Sequence, residues 1–227
     1  MPAMAKKPQG GRREENPRWQ RRPDERPAEI LAAALDTFVE RGYAATRLDD
    51  VARRAGVTKG TLYLYFANKE ELFKATIHDS IVPELERAEQ QIAADQGPTR
   101  ALLERYLRWW WDVIGRTRLS ALPKLVLSES TNFPELARFY YEEVVMRGRR
   151  LLEQVIRRGI ERREFREVDP EYAVRVIMSP LVLATVWKHS MVRCSIDPVD
   201  FDRHLNQAID LLMNGLLATD EKAAPGA

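Results

Sequence analysis

From Pro27 to Leu217 the apolar residues of this chain return every three or four positions, and no short β-branched run alternates apolar with polar between turns. A period near 3.6 belongs to the α-helix and a period of two to the strand, so the pattern predicts an all-α protein. Each helix then carries an apolar stripe that must be covered by another helix. A chain of 227 residues, 44% hydrophobic and 31% charged, has enough apolar side chains for one large domain or two smaller ones. No apolar run reaches the roughly 18 to 20 residues that would span a bilayer. The basic, polar N-terminus lacks the apolar segment of a secretory signal, and the single cysteine, Cys194, excludes an internal disulfide. These features predict a cytoplasmic protein without a membrane partner.

Capping residues divide the helical region. Residues 1–24 are rich in Pro, Gly, Arg and Gln and read as a flexible arm. Residues 1–26 hold eight Lys/Arg against four acids, a net of +4 on a body of −2, which suits a polyanionic partner or a merely solvated leader. A first helix is expected from Pro27, with Ile30, Leu31, Ala34, Leu35 and Phe38 on one face, ending at Gly42. Thr46-Arg47-Leu48-Asp49 reads as the capping box of a second helix that stops at Gly56. Thr58 caps a short third helix, Lys59 to Phe66, and Asn68 opens a fourth running toward Gln91. Further helices are expected over Ala101–Arg116, Leu119–Ser130, from an Asn132 cap to about Arg163, over Pro170–Ser190 and over Pro198–Leu217.

Thr46 to Phe73 carries the functional signal. Two short helices joined by a turn of three to four residues containing a glycine form a helix-turn-helix, whose second helix is narrow enough to enter the major groove of DNA. Thr58, Lys59, Gly60 and Thr61 stand at the N-terminal end of that helix, where free N–H groups favour phosphate. Gly60 costs about 1 kcal/mol inside a helix, which close approach to DNA would explain. Lys59 and Tyr63 can reach phosphates or base edges, the Tyr65 hydroxyl a phosphate, and Lys69 and Arg47 two more phosphates. Leu62 and Phe66, four apart, are expected to face inward. Charge adds nothing, because residues 27–75 hold seven bases and seven acids.

The segment from about Pro27 to Phe73 resembles the DNA-binding domain of the tetracycline-repressor (TetR) family. The resemblance lies in Phe38-x-x-x-Gly42-Tyr43, the bracing helix Thr46 to Gly56, Val57-Thr58-Lys59-Gly60-Thr61-Leu62-Tyr63-x-Tyr65-Phe66, and Lys69-Glu70-Glu71-Leu72. The family often has His at the position of Tyr65. The resemblance implies a DNA surface of Arg47, Thr58, Lys59, Gly60, Thr61, Tyr63, Tyr65 and Lys69. It also implies a homodimer on operator DNA, an effector held among the middle helices, and repression as the usual outcome. On this reading residues 25–73 are the DNA-binding domain, 74–218 the effector-binding and dimerisation domain, and 219–227 a tail.

Downstream, Trp109, Trp110 and Trp111 spread over about 200° of a helix and cannot share one core. Trp110 falls on the main apolar face and its neighbours on the flanks, where they are either amphipathic surface or the border of a cavity. Tyr106, Trp109, Trp110, Phe133, Tyr140, Met178 and Trp187 are candidate pocket residues for an apolar or planar ligand, with His189 as a polar handle. The last two helices are expected at a dimer interface through Val174, Ile177, Leu181, Phe201, Leu205, Ile209, Leu212 and Leu216. Two-fold symmetry predicts a pseudo-palindromic operator with half-sites about 34 to 36 Å apart, or a multiple.

Catalytic patterns are absent from the sequence. His78, His189 and His204 lack zinc-ligand spacing, and there is no nucleophile elbow, phosphate loop or dinucleotide glycine pattern. Neither catalysis, cofactor nor metal is expected. The competing reading is a helical protein-interaction module without DNA binding. Cys194 is either a redox sensor or an inert thiol.

Overall fold

A computed structural model describes residues 26–194 and 198–216. The expected arm and tail lie outside them. The described residues form helices, with no strand among them, and eleven are α-helical segments: α1 (Arg26–Ala45), α2 (Leu48–Arg54), α3 (Lys59–Tyr65), α4 (Lys69–Ser80), α5 (Val82–Ala94), α6 (Thr99–Trp110), α7 (Leu122–Glu129), α8 (Pro134–Tyr140), α9 (Met146–Glu161), α10 (Pro170–Lys188) and α11 (Phe201–Leu216). Two π turns, Trp111–Gly115 and Tyr141–Val145, follow α6 and α8, and short 3₁₀ turns cover Arg118–Ala121 and Val192–Cys194.

The first three helices and the start of α4 enclose Ile30, Ala34, Phe38, Val51, Leu62, Leu72 and Phe73, all essentially inaccessible. Tyr43, Phe38 and Phe73 form a ring cluster with centroids 5.3–5.7 Å apart, Phe38 and Tyr43 stacked and both edge-to-face with Phe73. Gly42 breaks the α1 run with φ 81° and ψ 170°, a conformation that L side chains rarely adopt. Thr46 is not the cap of α2. Its side chain is buried and donates to the Gly42 carbonyl at 2.6 Å, and the helix starts one residue later, with Arg47 in the cap position and no side-chain cap bond. The other two caps form as expected. Thr58 Oγ1 accepts from Thr61 N–H at 3.1 Å, and Asn68 Oδ1 from Glu71 N–H at 2.9 Å while Glu71 reaches back to Ala67 N–H at 3.0 Å.

The helix expected from Asn68 to Gln91 is two helices. Pro83 has no N–H and its ring would strike the carbonyl four residues back, so the chain turns at Ile81, which is buried there. The domain boundary expected after Phe73 lies inside α4, which packs on α1 and carries buried Thr76 and Ile77 onward toward α5. At the head of α8 the cap position is Phe133, ahead of Pro134, and no Asn132 side-chain cap forms. The long helix expected from there is continuous from Pro134 to Glu161 but contains the second π turn.

The tryptophan phase also differs from expectation. Trp111 is the buried ring, at 1% exposure, while Trp109 and Trp110 are half-buried. Trp111 N–H still bonds the Leu107 carbonyl, so the ring continues the face of Leu103 and Leu107; the π turn opens after it, closed by Arg116 N–H donating to the Trp111 carbonyl at 2.8 Å. Gly115 makes room, because a Cβ there would overlap the Trp111 ring.

Candidate functional site

Helix α3 presents the DNA-reading candidates. Leu62 and Phe66 point inward, at 0% and 9% exposure. Thr58, Lys59, Gly60, Tyr63 and Tyr65 are exposed, Thr61 is half-buried, and Arg47 is exposed at the head of α2. Lys59 pairs with Asp49 at 2.9 Å, and the Asp49 carboxylate beside it holds its pKa above the ordinary lysine value. That pair is open to solvent and is worth little in water. Arg41 and Arg53 both engage Asp50, and Arg54 engages Glu40, which fixes α2 against α1. Leu64, which the sequence reading passed over, is 84% exposed on the same helix. A bare leucine between two exposed tyrosines suits contact with a thymine methyl. The signal was present in the sequence, since Leu62 and Phe66 already occupy the inward face.

Lys69 is placed differently from a free phosphate contact. It is half-buried, and its ammonium donates to the Tyr43 carbonyl at 2.8 Å and the Ala44 carbonyl at 3.1 Å, 4.6 Å from the Tyr43 ring centre. Desolvation lowers its pKa, opposed by the Glu129 charge. Burial, with Glu70 and other carboxylates nearby, pushes the Tyr43 hydroxyl up to about 12.

The large C-terminal part surrounds a cavity of about 900 Å³ bordered by α5 to α10 and both π turns. That is at the upper end for small-molecule sites. Its wall is mostly apolar. Of the pocket residues expected from sequence, Tyr106, Trp109, Trp110, Tyr140 and Met178 line it, and Phe133, Trp187 and His189 do not. Phe133 instead meets Tyr43 edge-on, ring centres 4.8 Å apart, at the junction with the DNA-binding helices. His189 follows α10, with its Nε2 2.8 Å from Ser120 Oγ. Trp187 is half-buried, its indole N–H buried without a hydrogen-bond partner. Burial raises the pKa of both Tyr106 and Tyr140, so their hydroxyls stay neutral.

The cavity also has charged members that no sequence pattern indicated. Arg149 of α9, only 9% exposed, lines it with its Nη1 3.3 Å from the Tyr141 hydroxyl and its Nη2 3.1 Å from Glu171. Its Nε is buried and unpartnered. Arg175 of α10, also lining, bonds the same Glu171 oxygen at 3.2 Å. The bonds from Arg175 and then Arg149 hold the Glu171 carboxyl below its ordinary pKa. Glu84, the acidic member of the wall, is paired with Arg87.

The residues expected at a dimer interface face the chain's own core. Val174, Ile177, Leu181, Leu205, Ile209 and Leu216 are at most 6% exposed, and Phe201 and Leu212 are half-buried against the same core. The strongest stripe of each helix is spent on neighbours within the chain. What α10 and α11 turn outward is Tyr172, Val176 and Leu211, each between 63% and 66% exposed, while Leu183, 59% exposed, also lines the cavity.

Family comparisons bear on both halves. A family model described as bacterial regulatory proteins of the tetR family matches residues 30–76, and one described as a tetracyclin repressor-like C-terminal domain matches residues 93–196. The chain belongs to the TetR family. Among relatives of this TetR-family chain, the HTH-type transcriptional activator FasR of Mycolicibacterium smegmatis is 38% identical over 106 residues, 44% of this chain and 46% of that protein. The fatty acid metabolism regulator protein of Bacillus subtilis is 26% identical over 195 residues, 83% of this chain and 94% of that protein. The crystal structure of the Bacillus subtilis regulator FadR in complex with stearoyl-CoA superimposes with a TM-score of 0.64 at 22% identity, covering 83% of this chain and 98% of that one, which is a likeness of fold. Relatives of this TetR-family chain are transcriptional regulators rather than enzymes. No helix among the described residues is long and apolar enough to cross a membrane, and no cluster of metal-ligating side chains occurs among them.

In this TetR-family fold the cavity and the DNA-binding helices share a wall. Val126, Leu127 and Ser130, in and just after α7, line the cavity, while Glu129 of the same turn accepts from Ala44 N–H at 3.0 Å. Ala44 lies just past the Gly42 break, in the end of the α1 run that forms the α1–α2 connection, where the Tyr43 and Ala44 carbonyls also hold Lys69 of α4. Arg118, just before α7, pairs with Asp36 of α1. Glu129 was invisible in the sequence, where it is one more polar residue on a helix end.

Proposed function

We propose that this TetR-family regulator binds a pseudo-palindromic operator as a homodimer through α3 and is released by an apolar, long-chain effector held in the cavity. The observation that carries the reading is the double role of the α7 turn. Its Val126 and Leu127 border the cavity and its Glu129 holds the backbone of the α1–α2 connection. A ligand that fits only when α7 shifts binds one arrangement of that clasp better than the other, and such differential affinity is what moves an equilibrium. The names of the Bacillus subtilis relative and of the stearoyl-CoA complex support a fatty-acyl class of effector, as does the cavity's size and apolar wall. The outward apolar residues of α10 and α11 support pairing of two copies there, and repression is the proposed sign of regulation.

The test is operator binding by the full chain, followed by fluorescence anisotropy on DNA flanking its own gene at fixed salt. Tight, sequence-specific binding that a long-chain acyl compound weakens is the expected result. Tyr63→Ala should reduce affinity by roughly ten- to a hundredfold, the cost of a good contact. Undiminished binding by Tyr63→Ala, or no effect of any acyl compound, contradicts the reading.

A further inference from the structure

The polarity of the cavity is uneven, and the unevenness constrains the effector. Three residues with formally charged side chains line it: Glu84, Arg149 and Arg175. The charge of Glu84 is matched by Arg87. The two arginines share one carboxylate, Glu171, which bonds Arg149 at 3.1 Å and Arg175 at 3.2 Å through the same oxygen. That leaves an excess of one positive charge at the end of the cavity formed by α9 and α10. Arg149 is more than nine-tenths buried, and its Nε has no partner. A buried guanidinium with an unmet donor is costly, because the group has lost its water without full replacement. Guanidinium is also the side chain best shaped to hold carboxylate or phosphate oxygens, through parallel N–H donors. Glu171 itself is half-exposed and lies at the start of α10, so the carboxylate that now occupies the fork is one that a ligand can displace.

We infer that this end of the cavity holds the anionic head group of an amphiphile, carboxylate or phosphate oxygens on Arg149 and Arg175, while the hydrocarbon body lies among Trp109, Trp110, Tyr140 and Met178. Arg149 is then a specificity-determining residue that separates charged from neutral ligands of the same chain length. This rests on the cavity being the effector site and adds the chemistry of the ligand's polar end.

The experiment uses the purified full chain, with tryptophan fluorescence read as dodecanoate, dodecanoyl-CoA and dodecanol are titrated. At least one of the two anions should bind roughly ten- to a hundredfold more tightly than the alcohol, the worth of a charge-assisted hydrogen bond. Preference for dodecanoate identifies the head as a carboxylate; preference for the thioester alone identifies it as the phosphates of the carrier. Arg149→Met should abolish the preference by weakening anion binding to the level of the alcohol. Glu171→Gln, at an exposed position, removes the competing carboxylate and should tighten anion binding, a gain that a merely structural role does not produce. If Arg149→Met loses its helical circular dichroism, Glu171→Gln decides alone. Equal binding of alcohol and both anions, preference surviving Arg149→Met, or no gain in Glu171→Gln overturns the inference while leaving the cavity as an effector site. No binding of any of the three overturns the cavity reading and this inference with it.

Discussion

At Gly115 the absence of one methyl group lets Trp111 enter the core. The ring lies over the glycine, in space that a Cβ would occupy, and Lys188 Nζ donates to the Gly115 carbonyl at 3.0 Å. Gly115→Ala should therefore act as an overpacking substitution and destabilise the fold by about 1–3 kcal/mol. A lowered urea midpoint with an unchanged slope would register this, and an unchanged midpoint would contradict the packing described. The same scale holds Leu64 and Tyr63, exposed on α3 against the tendency of large apolar side chains to be buried. Within the chain nothing covers them, and the DNA surface proposed for α3 is what would. Lys69 stands at the opposite extreme, since its charge is directed at two backbone carbonyls and its loss would first disturb how α4 meets the α1–α2 connection.

Helices act here as two-sided objects. α7 turns Val126 and Leu127 to the cavity and ends in Glu129, which holds Ala44 N–H. Glu129→Ala should cost about 1–3 kcal/mol of stability for the lost charge-assisted bond. It should also reduce the difference in operator affinity with and without a long-chain ligand, measured by anisotropy in both states. A variant that folds and responds to ligand like the parent would show that α7 does not couple the two parts. The two π turns belong to this scale as well. Both contribute to the cavity wall, Val113 and Ile114 from the first and Tyr141, Val144 and Val145 from the second, in keeping with the frequent occurrence of such turns at functional sites. The misplaced tryptophan has another cause: Leu103, Leu107 and Trp111 follow at four-residue spacing, so Trp111 fits the apolar stripe as well as Trp110 does, and only packing chose between them.

For the whole molecule, exposed ion pairs and the outer faces of α10 and α11 set the expected behaviour. The bond from Arg54 holds the Glu40 carboxyl below its ordinary pKa, and Glu171 is lowered by Arg175 and Arg149. A carboxylate whose folded pKa is depressed contributes stability that is present above its unfolded pKa, about 4.3, and lost as the pH falls through the folded value. Thermal midpoints should therefore drop as the pH is lowered below about 4.3, and Glu40→Gln should shallow that drop. A drop of equal steepness would remove Glu40 from the account. Val176→Asp combined with Leu211→Asp, both at exposed positions, should leave circular dichroism intact and convert the proposed dimer to a monomer in sedimentation; a dimer that persists in the variant would move the interface elsewhere.

Local rules carried most of the fold. The 3.6 period gave the helices, Thr58 and Asn68 gave their starts, Pro83 held a break that was overlooked, and the Gly42–Phe73 motif gave the family. Each depends on residues near one another in the chain. The sequence by itself also determined that α10 and α11 are apolar, but not what covers each face, because a stripe has the same pattern whether its neighbour belongs to the same chain or to another. Only the tertiary structure decided that Val174, Ile177 and Leu205 are core, that Phe133 sits at the domain junction rather than in the cavity, and that Arg149, Glu171 and Arg175 meet. Such contacts join positions remote in sequence, and burial of a charge is a property of the surroundings rather than of the residue.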